Sequence, residues 1–147
     1  MPPPKNVRTA SIGPRKVEKV PRSAPVPNFN SLKPAWRLAK LELCGPFGWH
    51  EMTGEKLQEV VKKLGAFEAL TWGEILVTQK HRNHSILVEK LSPSARRRLS
   101  ELKLDDLDEL VSLRLSGPNR VFGIREQGIL LLMWWDPDHG VCPSHLS

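Results

Sequence analysis

From Leu110 the chain alternates apolar and polar residues as L-V-S-L-R-L-S, breaks at Gly117-Pro118-Asn119 and resumes over Arg120–Glu126. Gln127-Gly128 marks a tight turn, after which Ile129–Trp135 runs apolar without interruption. A period of two predicts strands, and a short apolar run bounded by turn residues predicts a strand covered on both faces. The pattern therefore predicts a meander of three antiparallel strands. Pairing Ser116 with Arg120 sets Arg114 opposite Phe122 and Leu113 opposite Gly123. Val111, Leu113, Leu115 and Val121 then share the face that lies on helices, and Ser112, Arg114, Ser116 and Arg120 share the other. Arg114 and Arg120 become diagonal neighbours, roughly 7–8 Å apart at the backbone. With Gln127-Gly128 as a two-residue turn, Trp135 falls opposite Arg120, and Asp136-Pro137-Asp138-His139-Gly140 emerges beside both arginines.

Upstream, Trp36–Leu43 predicts an opening strand, ended by the turn Gly45–Trp49. Leu57, Val60, Val61 and Leu64 repeat at helical spacing and predict a helix over roughly 55–69, capped by Thr53 or Gly54, with Gly65 as a possible interruption. Thr71 and Glu74 have the capping-box spacing and begin a short helix through about Val77. Gln79–His84 is polar, basic and aperiodic, a loop; Ile86–Val88 suggests a short strand. Ser92-Pro93 predicts the start of a helix through about Leu102, with Ala95, Leu99 and Leu102 inward and Arg96, Arg97 and Arg98 on the wet side. Asp105, Asp106, Asp108 and Glu109 read as a solvated acidic linker. The expected architecture is α+β, with helices packed on one face of a twisted, mainly antiparallel sheet that ends in the meander.

Composition changes the picture mainly at the N-terminus. Residues 1–30 contain seven prolines and hold six cations against Glu18, so five of the six net positive charges lie there. Such a segment buries too little apolar surface to offset the entropy of ordering, which predicts a disordered basic tail over 1–30 and one domain over 31–147. The tail reads equally as a weak, salt-sensitive contact for nucleic-acid phosphates and as a solvated segment. No run of 18 apolar residues is present, so no membrane span is expected, and the start M-P-P-P-K has no signal-peptide core. Cys44 and Cys142 are too few for a secreted disulfide framework, which points to reduced thiols in a cytoplasmic protein. His139-x-x-Cys142-x-x-His145 and His81-x-x-His84 supply zinc-type ligands, but without a Cys-x-x-Cys pair this is the weaker reading, and no metal or cofactor is expected.

The run S-L-R-L-S-G-P-N-R-V-F-G-I, followed by a turn, an apolar strand and a polar end, resembles the C-terminal half of RelE/ParE-type bacterial toxins. In that family a basic residue sits on the first strand, matched by Arg114. An arginine opens the second, matched by Arg120, and functional residues follow the third, where His139 falls. The resemblance covers about thirty residues closely, and several members of the superfamily are not nucleases. It implies a RelE-like fold, RNA as ligand, an antitoxin partner, and a metal-independent endoribonuclease in which the 2′-hydroxyl attacks and leaves a cyclic phosphate.

On that expectation RNA lies on the open face of the sheet. Arg114 and Arg120 hold the scissile phosphate, His139 acts as general acid or base, and Lys80, His81 or His84 assists. The alternative is a non-catalytic toxin or phage-type inhibitory protein on the same fold, in which Arg114 and Arg120 pair with Asp105–Glu109. These residues also read as ordinary solvated strand, loop and turn positions.

Overall fold

The computed structural model describes residues 28–143. Most of the 1–30 tail, and His145, lie outside the described residues. The exceptions are Asn28–Asn30: Asn28 Oδ1 accepts from Asn30 N at 2.9 Å in a local turn, and Asn30 is held to the domain, its Oδ1 accepting from Arg125 Nη2 at 3.0 Å.

Five strands, β1 (Ala35–Arg37), β2 (His84–Leu87), β3 (Glu109–Arg114), β4 (Arg120–Glu126) and β5 (Ile129–Asp136), form one sheet in the order β1-β5-β4-β3-β2. β1 runs parallel to β5, and every other pairing is antiparallel. The meander is thus β3-β4-β5. The opening strand is shorter than its sequence pattern, because a turn closes with Leu41 N on Leu38 O at 3.0 Å. The chain then returns to β5, where Glu42 N donates to Met133 O and Trp135 N to Phe47 O. These bonds satisfy backbone groups of β5 beyond the reach of the three-residue β1.

Two α-helices follow their caps. Thr53 Oγ1 accepts from Lys56 N to start α1 (Gly54–Phe67), which passes through Gly65 without a break. Ser92 Oγ accepts from Ala95 N ahead of Pro93 to start α2 (Pro93–Glu101). The Thr71–Glu74 capping box closes reciprocally, with Thr71 N on Glu74 Oε1 at 2.9 Å and Glu74 N on Thr71 Oγ1 at 3.2 Å. The short helix it begins continues as a π-helical turn over Glu74–Thr78.

The helices lie on both faces of the sheet, not on one. Val60, Leu64 and Phe67 of α1 pack with Trp72 and Ile75 against Val111, Leu113, Leu115, Val121, Leu130, Leu132 and Trp135. Ala95 and Leu99 of α2 pack on the opposite face against Ile86, Leu110, Phe122, Ile124, Met133 and Trp134. The face expected to be open is therefore largely covered. The reason lies in β4 and β5, which carry large apolar residues on both sides, and each such side chain contributes about 1.5–3 kcal/mol when buried. No helix among the described residues is long and apolar enough to cross a membrane.

Arg98 corrects the expectation of three solvated arginines on α2. Its Nη2 and Nε bond Glu42 Oε2 and Oε1 at 2.6 and 3.0 Å, and Trp134 Nε1 bonds the same Oε1 at 2.8 Å. Glu42 is buried, and burial alone would raise its carboxyl pKa. The bonds from Arg98 and Trp134 outweigh this and hold it below the ordinary value. This node ties the β1–α1 segment to α2 and β5.

Candidate functional site

The β3–β4 register differs by two residues from the expected one. Arg114 pairs with Arg120, Leu113 with Val121 and Ser112 with Phe122. Ser116, Gly117 and Pro118 form the loop, with Gly117 at φ +54° and Leu115 N donating to Asn119 O at 3.0 Å. A shift of two keeps every side chain on its face but changes which residues stand opposite. The two arginines are directly opposed, not diagonal, which brings their Cβ atoms to about 4.5–5.5 Å.

A second correction comes from β4–β5. The Gln127-Gly128 turn pairs Glu126 with Ile129 as expected, but a bulge at Phe122/Gly123 advances the register by one. Arg120 therefore faces Asp136, and Val121 faces Trp135. A Cβ on Gly123 would stand 2.5 Å from Leu131 O and 2.8 Å from Leu130 Cγ, so only glycine fits this close approach.

The same sheet end holds most of the candidate residues. β2 begins at His84, which pairs with Ser112, two positions from Arg114 on the same face. His84 is half-buried and its Nδ1 lies 3.1 Å from Lys80 O, while Lys80 and His81 are exposed on the preceding turn. His139 is half-buried at φ +58°, three residues past Asp136. Register thus gathers His84, Arg114 and Arg120, and the turns carrying Lys80, His81 and His139 border them.

The environments of the two arginines differ. Arg120 is only 8% exposed, and its Nη1 donates to Gly117 O at 2.8 Å and Asn119 O at 3.2 Å. Burial pushes its pKa down, the Arg114 charge adds to that, and Asp136 opposes both. Arg114 is half-buried, and its Nε reaches Gly117 O at 3.3 Å. Among the described residues neither arginine has a carboxylate within ion-pair distance, so the pairing with Asp105–Glu109 that would mark the non-catalytic alternative is not formed. Asp136, the nearest acid by register, is buried and spent on backbone: its oxygens accept from Asp138 N, Gly140 N and Val141 N at 2.9–3.2 Å.

Two residues that sequence reasoning passed over complete the site. Asn83, 1% exposed, donates through Nδ2 to Ile75 O and Gln79 Oε1 and accepts from Arg114 N. Ser112 is buried with its Oγ unpartnered, between His84 and Phe122 in the ladder. An asparagine just before a strand is the signal that a backbone splice was available; nothing in the sequence marks Ser112.

Two like charges directly opposed on a sheet repel, and burial raises the cost. A pair held this way, with Asp136 across the ladder but committed to backbone N–H groups and no carboxylate in ion-pair contact, is suited to an anion, since a phosphate accepts from both guanidiniums at once. Among the described residues no cluster of three or more His, Cys, Asp or Glu could hold a metal ion. Cys142 of the zinc reading is buried with its thiol on Lys90 O at 3.8 Å, and burial and Asp136 raise its pKa. Comparisons with protein-family models, with curated proteins and with solved structures gave no match.

Proposed function

We propose that the protein is an RNA-binding toxin of RelE-like type that cleaves RNA without a metal, with the phosphate seated at the end of the sheet marked by Arg114 and Arg120. The observation that carries this reading is the cross-strand arginine pair with no carboxylate in ion-pair contact among the described residues. Arg114, the more accessible of the two, contacts the phosphate, and buried Arg120 adds charge from beneath it. In the reaction a base takes the 2′-hydroxyl proton and the 2′-oxygen forms a bond to phosphorus. The bond to the 5′-oxygen breaks as an acid protonates that oxygen, leaving a 2′,3′-cyclic phosphate. His84, which shares a sheet face with Arg114 two positions along the ladder, would make one of these transfers, with His139, Lys80 and His81 as the other candidates. An antitoxin would cover this surface.

A second reading, a binding or inhibitory protein with no chemistry, is favoured by one observation: Arg120 is 8% exposed and spends its Nη1 on loop carbonyls. Expression of wild type, Arg114→Ala, Arg120→Ala, His84→Ala and His139→Ala in bacteria, with mapping of RNA ends, separates the two. Growth arrest with new ends bearing cyclic phosphates, lost in Arg114→Ala and His84→Ala, supports cleavage. Growth arrest with unchanged RNA ends supports the second reading. Neither arrest nor altered ends sinks both.

A further inference from the structure

We infer that the groove between α1 and the β3–β4 loop is a second phosphate station, which holds the RNA strand beyond the arginine pair. The inference rests on the RNA reading above and names a subsite for it. The groove has a volume of about 560 Å³. Lys56, Glu59, Lys62 and Lys63 of α1 form one wall, and Ser116 and Asn119 of the loop form the other. Val60, Ala66 and Leu115 complete a largely apolar lining, on which three lysines against one glutamate leave a net positive charge. Lys56 is already partnered by Glu59 at 3.1 Å, whereas Lys62 and Lys63 have no carboxylate within ion-pair distance among the described residues. Lys63 is steered by the Phe67 ring, with Nζ 5.5 Å from its centroid, and Lys62 is exposed.

The link to the arginines is the loop itself. Gly117 O accepts from both Arg114 and Arg120 on one side of the ridge, while Ser116 and Asn119 line the groove on the other. A strand whose phosphate lies on the arginines and which crosses this ridge enters the lysine groove. Phosphates along such a strand then meet first guanidinium and then ammonium groups, the arrangement of a charged track along a single strand. Lysine suits the outer station because a mobile point charge needs no fixed phosphate geometry, whereas the paired guanidiniums do.

The test uses the full chain and 2′-O-methyl oligouridine, which cannot be cleaved by 2′-hydroxyl attack, as a dinucleotide and as a strand of about ten nucleotides. Binding is followed by fluorescence anisotropy across a salt series, with circular dichroism to verify that each variant is folded. In the Lys62→Ala/Lys63→Ala double variant, affinity for the longer strand should fall about tenfold at low salt. The slope of log K against log salt should shrink by roughly 1–1.5, while dinucleotide binding stays as in wild type. Arg114→Ala should weaken both strands. Unchanged long-strand affinity and slope in the double variant overturn the groove and leave the arginine site standing. If the double variant weakens the long strand while Arg114→Ala affects neither length, the arginine reading falls instead. Absence of RNA binding by wild type removes both. If oligoglutamate binds wild type and is lost in the double variant while RNA affinity is unchanged, the groove belongs to an acidic protein partner and the inference is wrong.

Discussion

The backbone N–H of Arg114 donates to Asn83 Oδ1 at 2.9 Å, so the turn that delivers His84 and the strand end that delivers Arg114 are fixed to each other by one buried side chain. Asn83→Ala leaves that N–H, and the carbonyl of Ile75, without their side-chain partner. A loss of about 2 kcal/mol in unfolding free energy is expected, read from urea denaturation. Asn83→Asp keeps the acceptor for Arg114 N and loses the donor to Ile75 O and Gln79 Oε1. It should recover part of the loss, and a variant no better than alanine would assign the effect to the donors alone.

The opposed arginines predict anion-specific stabilisation. Phosphate or sulfate should raise thermal stability beyond chloride at the same ionic strength, by about 1.4 kcal/mol at ten times the dissociation constant. In Arg114→Ala the difference between anions should vanish. Equal stabilisation by all three anions in wild type would mean that the pair is only screened, not occupied.

The bulge beside Gly123 sets which residue faces Arg120. The position of this glycine leaves no room for a side chain, so Gly123→Ala in the middle strand should cost about 1–3 kcal/mol through a forced backbone shift. Because the bulge lies between Gly123 and the arginine, the anion-specific gain in stability should also fall in this variant. Loss of stability with an intact anion response would show that the bulge serves packing alone.

The Glu42–Arg98–Trp134 node predicts an acid limb. Glu42 has a folded pKa below its unfolded value of 4.5, so the unfolded chain binds more protons in that range and stability rises with pH there. Its contribution is present above the unfolded value and is lost as pH falls through the folded one. Glu42→Gln should flatten this limb of a stability–pH profile. Glu42→Ala should cost about 3 kcal/mol at neutral pH by removing the acceptor of buried Trp134 Nε1 and one of the two carboxylates on Arg98, which keeps Glu101 at 2.9 Å. Trp134 fluorescence, next to the carboxylate, gives a local readout of the same titration.

Local rules carried much of the architecture. Thr53, Thr71 with Glu74, and Ser92 with Pro93 start their helices because a cap is satisfied within a few residues. The meander and its facing were legible too, since Val111, Leu113, Leu115 and Val121 do share a face. Alternation is a property of one strand and survives an error of two in pairing.

Relationships between segments were not legible, because long-range packing selects them. Pairing Arg114 with Arg120 depended on where the Ser116–Pro118 loop closed, and placing Asp136 opposite Arg120 depended on a bulge at Phe122/Gly123, where Leu130 and Leu131 leave no room for a side chain on Gly123. The approach of Arg98 to Glu42, 56 residues away in the chain, leaves no trace in either local pattern. The burial of Arg120 follows from the same cause: a strand pattern says which side a residue faces, and only the segments packed there decide whether water reaches it.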